Sequence, residues 1–269
     1  MATLATSLGN IGFREEGSGG VPIVFLHGVG SDKSAWDPQL AHFGLSRHSI
    51  AFDYPGYGES DPLVERDNAP HDQLADAIFA ALDALGVARV HLCGLSLGGV
   101  VAIAVAHRAP HRLASLILAD SFARHPDGLA ILARSLEGSE NMHSLARARV
   151  PVLIGPNSTS KLASQLIAVM GAIDGAAFRF GSAAVWPVDQ RNRALGITVP
   201  TLVLCGSDDR VTPPDLSEEL ARLIERARLE LIPCTCHLPN LENPTAFNAA
   251  IAAFLEEIQC KPEKRQFPS

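Results

Sequence analysis

The stretch Arg89-Val-His-Leu-Cys-Gly-Leu-Ser-Leu-Gly-Gly-Val100 leads from a short apolar run into a segment rich in alanine and valine. This pattern predicts a strand, a sharp turn over Gly94-Leu-Ser-Leu-Gly98 and a helix that begins at the turn. Such a turn strains the backbone of its central residue, and glycines on either side let strand and helix approach closely. Ser96 is therefore a candidate nucleophile, and the backbone N–H of Leu97, at the start of the helix, is a candidate oxyanion donor.

Apolar strands and amphipathic helices alternate along most of the chain. Runs typical of buried parallel strands occur at residues 21–26, 49–52, 113–119, 201–205 and 228–232. Helical spacing of apolar residues is found over residues 71–85, 215–225 and 245–258. This alternation predicts an α/β fold with a mostly parallel central sheet flanked by helices.

Residues 122–195 differ from the rest of the chain because they show no strong strand pattern and several amphipathic helical stretches. We interpret them as a helical cap inserted into a core of residues 1–121 and 196–269, over the carboxyl edge of the sheet, where parallel sheets bind their ligands. Phe178 and Trp186 are expected to line an acyl pocket or to fill the interior of the cap. The cap arginines either form solvated helix faces or supply a partner for a substrate carboxylate; they are Arg124, Arg134, Arg147, Arg149, Arg179, Arg191 and Arg193.

A serine nucleophile needs a base, and the base needs an acid that orients it. Of the ten histidines, His237 follows the last predicted strand and precedes a proline-containing turn, so we predict that it is the base. The chain order of serine, acid and histidine favours an acid in the loop after residue 205, where Asp208 and Asp209 are both candidates, over Asp120 at another strand end. The second oxyanion donor is expected in the loop after the first central strand, at the backbone N–H of Val29.

Five short motifs occur in order along the chain. They are His27-Gly28, Asp53-x-x-Gly56-x-Gly58-x-Ser60, Gly94-x-Ser96-x-Gly98, Gly206-x-x-Asp209-x-x-x-Pro213 and Cys236-His237. The ordered set resembles the α/β-hydrolase superfamily, and the Gly94–Gly99 run with Asp189-Gln-Arg191 is most similar to the 3-oxoadipate enol-lactonase and small carboxylesterase group. In that pattern the acid stands three residues after the glycine, which selects Asp209. One departure is Cys236, which stands where relatives usually have glycine.

The resemblance implies a serine hydrolase of a small carboxylic ester or lactone, in which Ser96 attacks the substrate, His237 acts as base and Asp209 orients it. No metal or organic cofactor is implied. Other functions remain open at this point. They are hydrolysis of a carbon–carbon bond, as in diketones, or of an amide by the same residues, and ligand binding without turnover by a receptor of the same fold.

Composition argues against several classes of partner. The net charge of −7 comes from interspersed acidic and basic residues with no basic stripe, so nucleic acid is not expected as a partner. No basic leader and no apolar run of roughly 18–20 residues is visible, so we expect no membrane association and a cytoplasmic location. Five cysteines, an odd number, argue for reduced thiols, and Cys234-Thr-Cys236-His237 lacks a second ligand pair for a metal ion. Homo-oligomerisation stays open.

Overall fold

The computed structural model describes residues 2–62, 64 and 66–260. The strands in this part of the chain are β1 (Ala2–Thr6), β2 (Gly9–Glu16), β3 (Ile23–Leu26), β4 (Ser49–Phe52), β5 (Val90–Leu95), β6 (Leu113–Ala119), β7 (Thr201–Gly206) and β8 (Ala227–Ile232). They form one sheet in the spatial order β1-β2-β4-β3-β5-β6-β7-β8. The pairs β1–β2 and β2–β4 are antiparallel, and all the pairs from β4 across to β8 are parallel.

Along the chain, α-helices follow most of the strands of the sheet. In the described residues these are α1 (Asp37–Phe43), α2 (Pro70–Ala84), α3 (Leu97–Arg108), α4 (Gly128–Gly138), α5 (Met142–Leu153), α6 (Ser160–Gly171), α7 (Gly175–Val185), α8 (Arg191–Leu195), α9 (Pro214–Leu223), α10 (Pro239–Glu242) and α11 (Pro244–Cys260). Helices α2 and α3 pack on each other, and α1, α10 and α11 form a second group.

The centre of the sheet is its most buried part. Every residue of β3, β5 and β7 is buried. Continuous apolar runs suit parallel strands that are covered on both faces, which is why the sequence pattern predicts these strands well. Because β5 lies between β3 and β6, the turn that follows Leu95 opens at the middle of the carboxyl edge.

The predicted α/β fold with a mostly parallel sheet is confirmed. The predicted apolar runs correspond to β3, β4, β6, β7 and β8, and the predicted helices correspond to α2, α9 and α11. The hairpin of β1 and β2 is not predicted by the sequence pattern, because most of its residues are at least partly exposed and carry no continuous apolar run. It extends the sheet at one edge, away from the turn that carries Ser96.

Helices α4 to α8 lie between β6 and β7, within the predicted cap at residues 122–195, which we call the 122–195 interval. Its helix α7 packs against α2 and α3. Tyr57 Oη donates a hydrogen bond to the carbonyl oxygen of Ala177 at 3.1 Å. A Cβ atom on Gly181 would stand 2.1 Å from the same hydroxyl oxygen, so this contact requires glycine. The division of the chain into cap and core stays a prediction.

No single helix among the described residues has both the length and the apolar composition needed to cross a membrane. Helices Ser160–Gly171 and Gly175–Val185 meet that requirement only as a pair, and they are bent by 101° relative to each other. Cellular location and oligomeric state stay predictions.

Candidate active site

Ser96 lies in the turn between β5 and α3, with φ 55° and ψ −114°. A non-glycine residue at positive φ costs about 1–3 kcal/mol and persists only where its surroundings hold it. Strand and helix touch on both sides of the serine, because a Cβ atom on Gly94 would stand 2.1 Å from the Gly98 carbonyl oxygen and one on Gly98 would stand 2.1 Å from the Leu26 carbonyl oxygen. The Ser96 N–H also donates to the Ala119 carbonyl oxygen at 2.9 Å. These contacts hold the strained serine at the carboxyl edge of the sheet.

Asp209 and His237 meet from two different loops. His237 Nδ1 lies 2.8 Å from Asp209 Oδ2, and both side chains are buried. Asp209 Oδ1 accepts hydrogen bonds from the N–H groups of Val211 at 2.7 Å and Thr212 at 3.1 Å, and the Thr212 hydroxyl donates to Oδ2 at 2.6 Å. Burial would raise the pKa of Asp209, but the charge and hydrogen bond of His237, with those of Thr212 and Val211, lower it below its ordinary value. The carboxylate is therefore held ionised beside the imidazole.

The other two candidate acids occupy different environments. Asp208 is exposed to solvent. Asp120 is fully buried at the end of β6, has φ 45°, and its Oδ1 accepts a hydrogen bond from the Gly206 N–H at 2.8 Å. Burial, together with the nearby charge of Asp209, raises the pKa of Asp120 well above its ordinary value. Asp120 thus supports the loop carrying Asp209 through the Gly206 N–H, and its burial favours the uncharged carboxyl group.

Asp120, Cys205 and Asp209 form a buried group whose potential ligand atoms lie within 4.8 Å of one another, a spacing that would suit a metal ion. The chemistry of the three side chains does not fit one. Asp209 Oδ2 already lies 2.8 Å from His237 Nδ1, Asp120 Oδ1 already accepts a hydrogen bond from the Gly206 N–H, and burial raises the pKa of both Asp120 and Cys205, which disfavours their deprotonated forms. Metal ligands must be deprotonated. We therefore assign no metal ion to this group.

The loop that carries His237 is fixed by Glu242, a residue that the sequence analysis does not single out. Glu242 Oε1 accepts a hydrogen bond from the Cys236 N–H at 2.9 Å, and its Oε2 accepts one from the Gly155 N–H at 2.7 Å. The His237 N–H donates to the Leu153 carbonyl oxygen at 3.0 Å. The histidine loop is therefore tied to the end of α5 by backbone and carboxylate hydrogen bonds.

A cavity at the carboxyl edge of the sheet is lined by both Ser96 and His237. Val29, from the loop after β3, lines it on the side of the sheet edge, while Phe178 and Trp186 line it from the 122–195 interval. Both aromatic side chains are almost fully buried, so they also fill the interior of that interval. A cavity with mostly apolar walls and a few polar side chains suits a small-molecule ligand.

The loop that carries Val29 is braced by a buried histidine. Because a carbonyl oxygen only accepts, His27 Nδ1 donates to the Gly28 carbonyl oxygen at 2.9 Å, and its Nε2 accepts from the Tyr54 N–H at 3.3 Å. Burial lowers the pKa of His27, which keeps the ring neutral. Leu97, the other predicted oxyanion donor, is the first residue of α3 and is fully buried.

A parallel sheet with a serine at a strained strand–helix turn, and a buried aspartate–histidine pair facing the same cavity, is the arrangement of a hydrolase. Residues 23–250 match the model of the alpha/beta hydrolase family. The chain belongs to that family. The predicted family and enzyme class are confirmed.

Similar proteins include lactonases and a longer enzyme component. The chain is 27% identical over 241 residues to 3-oxoadipate enol-lactonase 1 of Acinetobacter baylyi, covering 88% of this chain and 89% of that protein. It is 30% identical over 253 residues to the dihydrolipoyllysine-residue acetyltransferase component of the acetoin cleaving system of Pseudomonas putida, covering 91% of this chain and 66% of that protein. The crystal structure of the enol-lactonase from Burkholderia xenovorans LB400 matches with a TM-score of 0.86 at 27% identity, covering 95% of this chain and 100% of that chain. The predicted resemblance to the enol-lactonase group is confirmed.

Proposed function

We propose that the protein is a serine hydrolase that cleaves a small carboxylic ester or lactone through an acyl-enzyme. Ser96 is the nucleophile, His237 the general base and Asp209 the acid that orients it. The observation that carries the proposal is the buried 2.8 Å contact between His237 and Asp209 beside a cavity whose lining also includes the strained Ser96. This arrangement supplies the three functions that acyl transfer by serine requires.

In the proposed reaction, the Ser96 hydroxyl oxygen attacks the substrate carbonyl carbon while His237 Nε2 takes the hydroxyl proton. The ionised Asp209 stabilises the imidazolium that forms, because its Oδ2 faces His237 Nδ1. Collapse of the tetrahedral intermediate breaks the bond to the leaving oxygen, which receives the proton from His237. Water then attacks the acyl-enzyme with the same proton transfers, which releases the acid and restores Ser96. With a lactone the leaving oxygen stays attached to the acyl chain.

The negative oxygen of the tetrahedral intermediate needs donors beside Ser96. We propose the backbone N–H groups of Val29 and Leu97 for this role. Leu97 is the first residue of α3, where backbone N–H groups lack partners within the helix. Val29 lines the cavity from the loop after β3. Removing one such donor costs about 3–4 kcal/mol of transition-state stabilisation.

The 122–195 interval is proposed to act as a cap that forms the acyl pocket. Phe178 and Trp186 supply part of the cavity wall, and the Leu153 carbonyl oxygen accepts the hydrogen bond from the His237 N–H. A change of Phe178 or Trp186 is therefore expected to alter the choice of substrate more than the bond-breaking step.

The test is steady-state turnover of 4-nitrophenyl acetate, 4-nitrophenyl butyrate and an enol-lactone by the wild-type protein and by Ser96→Ala. We expect the wild-type protein to turn over these substrates and Ser96→Ala to lose that turnover. Ser144→Ala, the same change at an exposed position on α5, is the matched control and is expected to keep wild-type rates. A folded wild-type protein that turns over none of the three substrates would contradict the proposal and would favour carbon–carbon cleavage or ligand binding.

A further inference from the structure

Arg149 is the only arginine or lysine that lines the cavity within the described residues. It lies on α5 and is partly buried. Its guanidinium carbon is 5.9 Å from the ring centroid of Phe178 and 5.9 Å from that of Trp186. One guanidinium nitrogen donates to the Ser135 hydroxyl oxygen at 3.1 Å. The positive charge thus stands between the two aromatic walls proposed for the acyl pocket.

This guanidinium has no acidic partner in the part of the chain that the structure describes. Two of the other partly buried arginines, Arg193 and Arg112, do have one, at 2.7 Å from Asp72 and 2.8 Å from Asp83, while the partly buried Arg47 forms no ion pair among the described residues. Among the described residues, neither Asp nor Glu lines the cavity. A cation that is withdrawn from water without a counterion is unfavourable, and proteins usually pair such charges. The missing counterion is therefore expected to come from a ligand.

The surroundings of Arg149 on its other side also carry positive charge. Arg149 lines a second, open groove together with Arg134 and Arg210. Burial and the charge of Arg134 lower the pKa of Arg149, and an anion at this point would relieve both effects. The groove also contains Asp127 and Asp215, but among the described residues neither forms an ion pair with Arg149.

We propose that Arg149 binds a carboxylate on the acyl part of the substrate, so that the preferred substrates are half-esters or lactones that carry a free carboxylate. This inference rests on the function proposed for Ser96. The planar guanidinium can offer two parallel N–H donors to a carboxylate, which fixes the orientation of the acyl chain as well as its charge. The apolar and aromatic walls around it hold the carbon chain between that carboxylate and the scissile carbonyl.

A purely structural role for Arg149 makes a different prediction. If the guanidinium only held the rings of Phe178 and Trp186 in place, its loss would lower stability and would slow neutral and anionic substrates alike. A carboxylate-binding role slows the anionic substrate selectively. The ratio of the two rates therefore separates the two roles.

The experiment compares two activated esters with acyl chains of equal length, mono-4-nitrophenyl glutarate and 4-nitrophenyl valerate, with wild type, Arg149→Gln and Arg149→Lys. We expect wild type to prefer the glutarate. Arg149→Gln should lower kcat/KM for the glutarate by about 10- to 100-fold relative to its effect on the valerate, and Arg149→Lys should restore part of that selectivity. Arg147→Gln, an exposed arginine two residues away on the same helix, is the matched control and should keep the wild-type ratio.

Equal losses of kcat/KM with both esters, or a wild type without preference for the glutarate, would overturn the role of Arg149. The proposed function would still stand in either case, provided that turnover of the valerate depends on Ser96. Failure of the proposed function has a separate signature, namely that a folded wild type hydrolyses neither ester. In that case glutarate binding, measured by calorimetry on the wild type and Arg149→Gln, still decides the inference. Tighter binding by the wild type supports it, and equal binding or none contradicts it.

Discussion

The carboxyl edge of the sheet and the 122–195 interval both line the cavity, but they differ in backbone geometry. Among the described residues, three non-glycine residues have positive φ: Ser96, Asp120 and Cys234. Each follows a strand of the sheet, after β5, β6 and β8 respectively. No residue of the 122–195 interval, all of which is described, has a positive φ. Backbone strain is thus concentrated where the proposed chemistry takes place. The interval contributes side chains on ordinary helices to the cavity wall, and its Leu153 carbonyl oxygen and Gly155 N–H support the histidine loop.

This difference separates two functions, the positioning of the nucleophile and the selection of the substrate. At the sheet edge, close contacts such as that between Gly98 and Leu26 determine where Ser96 can stand, so its position does not depend on the choice of substrate. In the 122–195 interval the cavity wall consists of side chains such as Phe178 and Leu166, which can change without disturbing the backbone of the sheet. We therefore expect substitutions at the edge to remove activity and substitutions in the interval to redirect it.

The largest expected effect is that of Asp209→Asn. The amide cannot stabilise a positive imidazole, and it disturbs the tautomer of His237, so kcat for 4-nitrophenyl butyrate should fall by about 10⁴-fold. The neighbouring Asp208→Asn is the matched control, because Asp208 is exposed while Asp209 is buried. A similar loss in both variants, or none in Asp209→Asn, would remove Asp209 from the proposed mechanism.

A smaller effect is expected for Leu166→Ala in the 122–195 interval. Leu166 lies on α6, is buried and lines the cavity, so its truncation lengthens the space for an acyl chain. The ratio of kcat/KM for 4-nitrophenyl octanoate to that for the butyrate should rise by about tenfold. Leu162→Ala, one turn earlier on α6 and not part of the cavity lining, should leave the ratio unchanged. An unchanged ratio in Leu166→Ala as well would argue against the interval as the source of acyl selectivity.

The smallest expected effect is on stability, and it concerns Asp120. Its pKa is raised in the folded protein above an ordinary value of 3.8, so the group stabilises the fold at low pH and this contribution is lost as pH rises above about 4. Asparagine does not ionise. The free energy of unfolding of Asp120→Asn, relative to wild type, should therefore increase between pH 4.5 and pH 7, by at most about 1.4 kcal/mol per pH unit. Urea denaturation across this range measures it, with Asp208→Asn as the control. A difference that stays constant with pH would contradict a raised pKa of Asp120.

Much of the sheet edge could be predicted from the sequence because its constraints are local. The Gly94–Gly98 turn follows a continuous apolar strand, and both features are visible within a dozen residues. The motif spacing that selected Asp209 over Asp208 agrees with the burial of Asp209 beside His237. The antiparallel hairpin of β1 and β2 could not be predicted, because strands at an exposed edge of a sheet need no apolar pattern.

The contacts that could not be predicted join residues far apart in the chain. Glu242 accepts a hydrogen bond from the N–H of Cys236, six residues away in the chain, and also from that of Gly155, 87 residues away, and a single glutamate in a turn carries no sign of this. From the sequence, the seven cap arginines are equivalent candidates for a residue that binds a substrate carboxylate. Only the packing of α5 against Phe178 and Trp186 distinguishes Arg149 from the exposed Arg147.

The central claim is that Ser96 is a nucleophile activated by His237, and covalent labelling tests it most directly. The folded protein is treated with a fluorophosphonate, and the modified peptide is identified by mass spectrometry. We predict stoichiometric modification of Ser96, which parallels loss of esterase activity and becomes much slower in His237→Gln. Absence of labelling at Ser96, or labelling whose rate is unaffected by His237→Gln, would contradict the account.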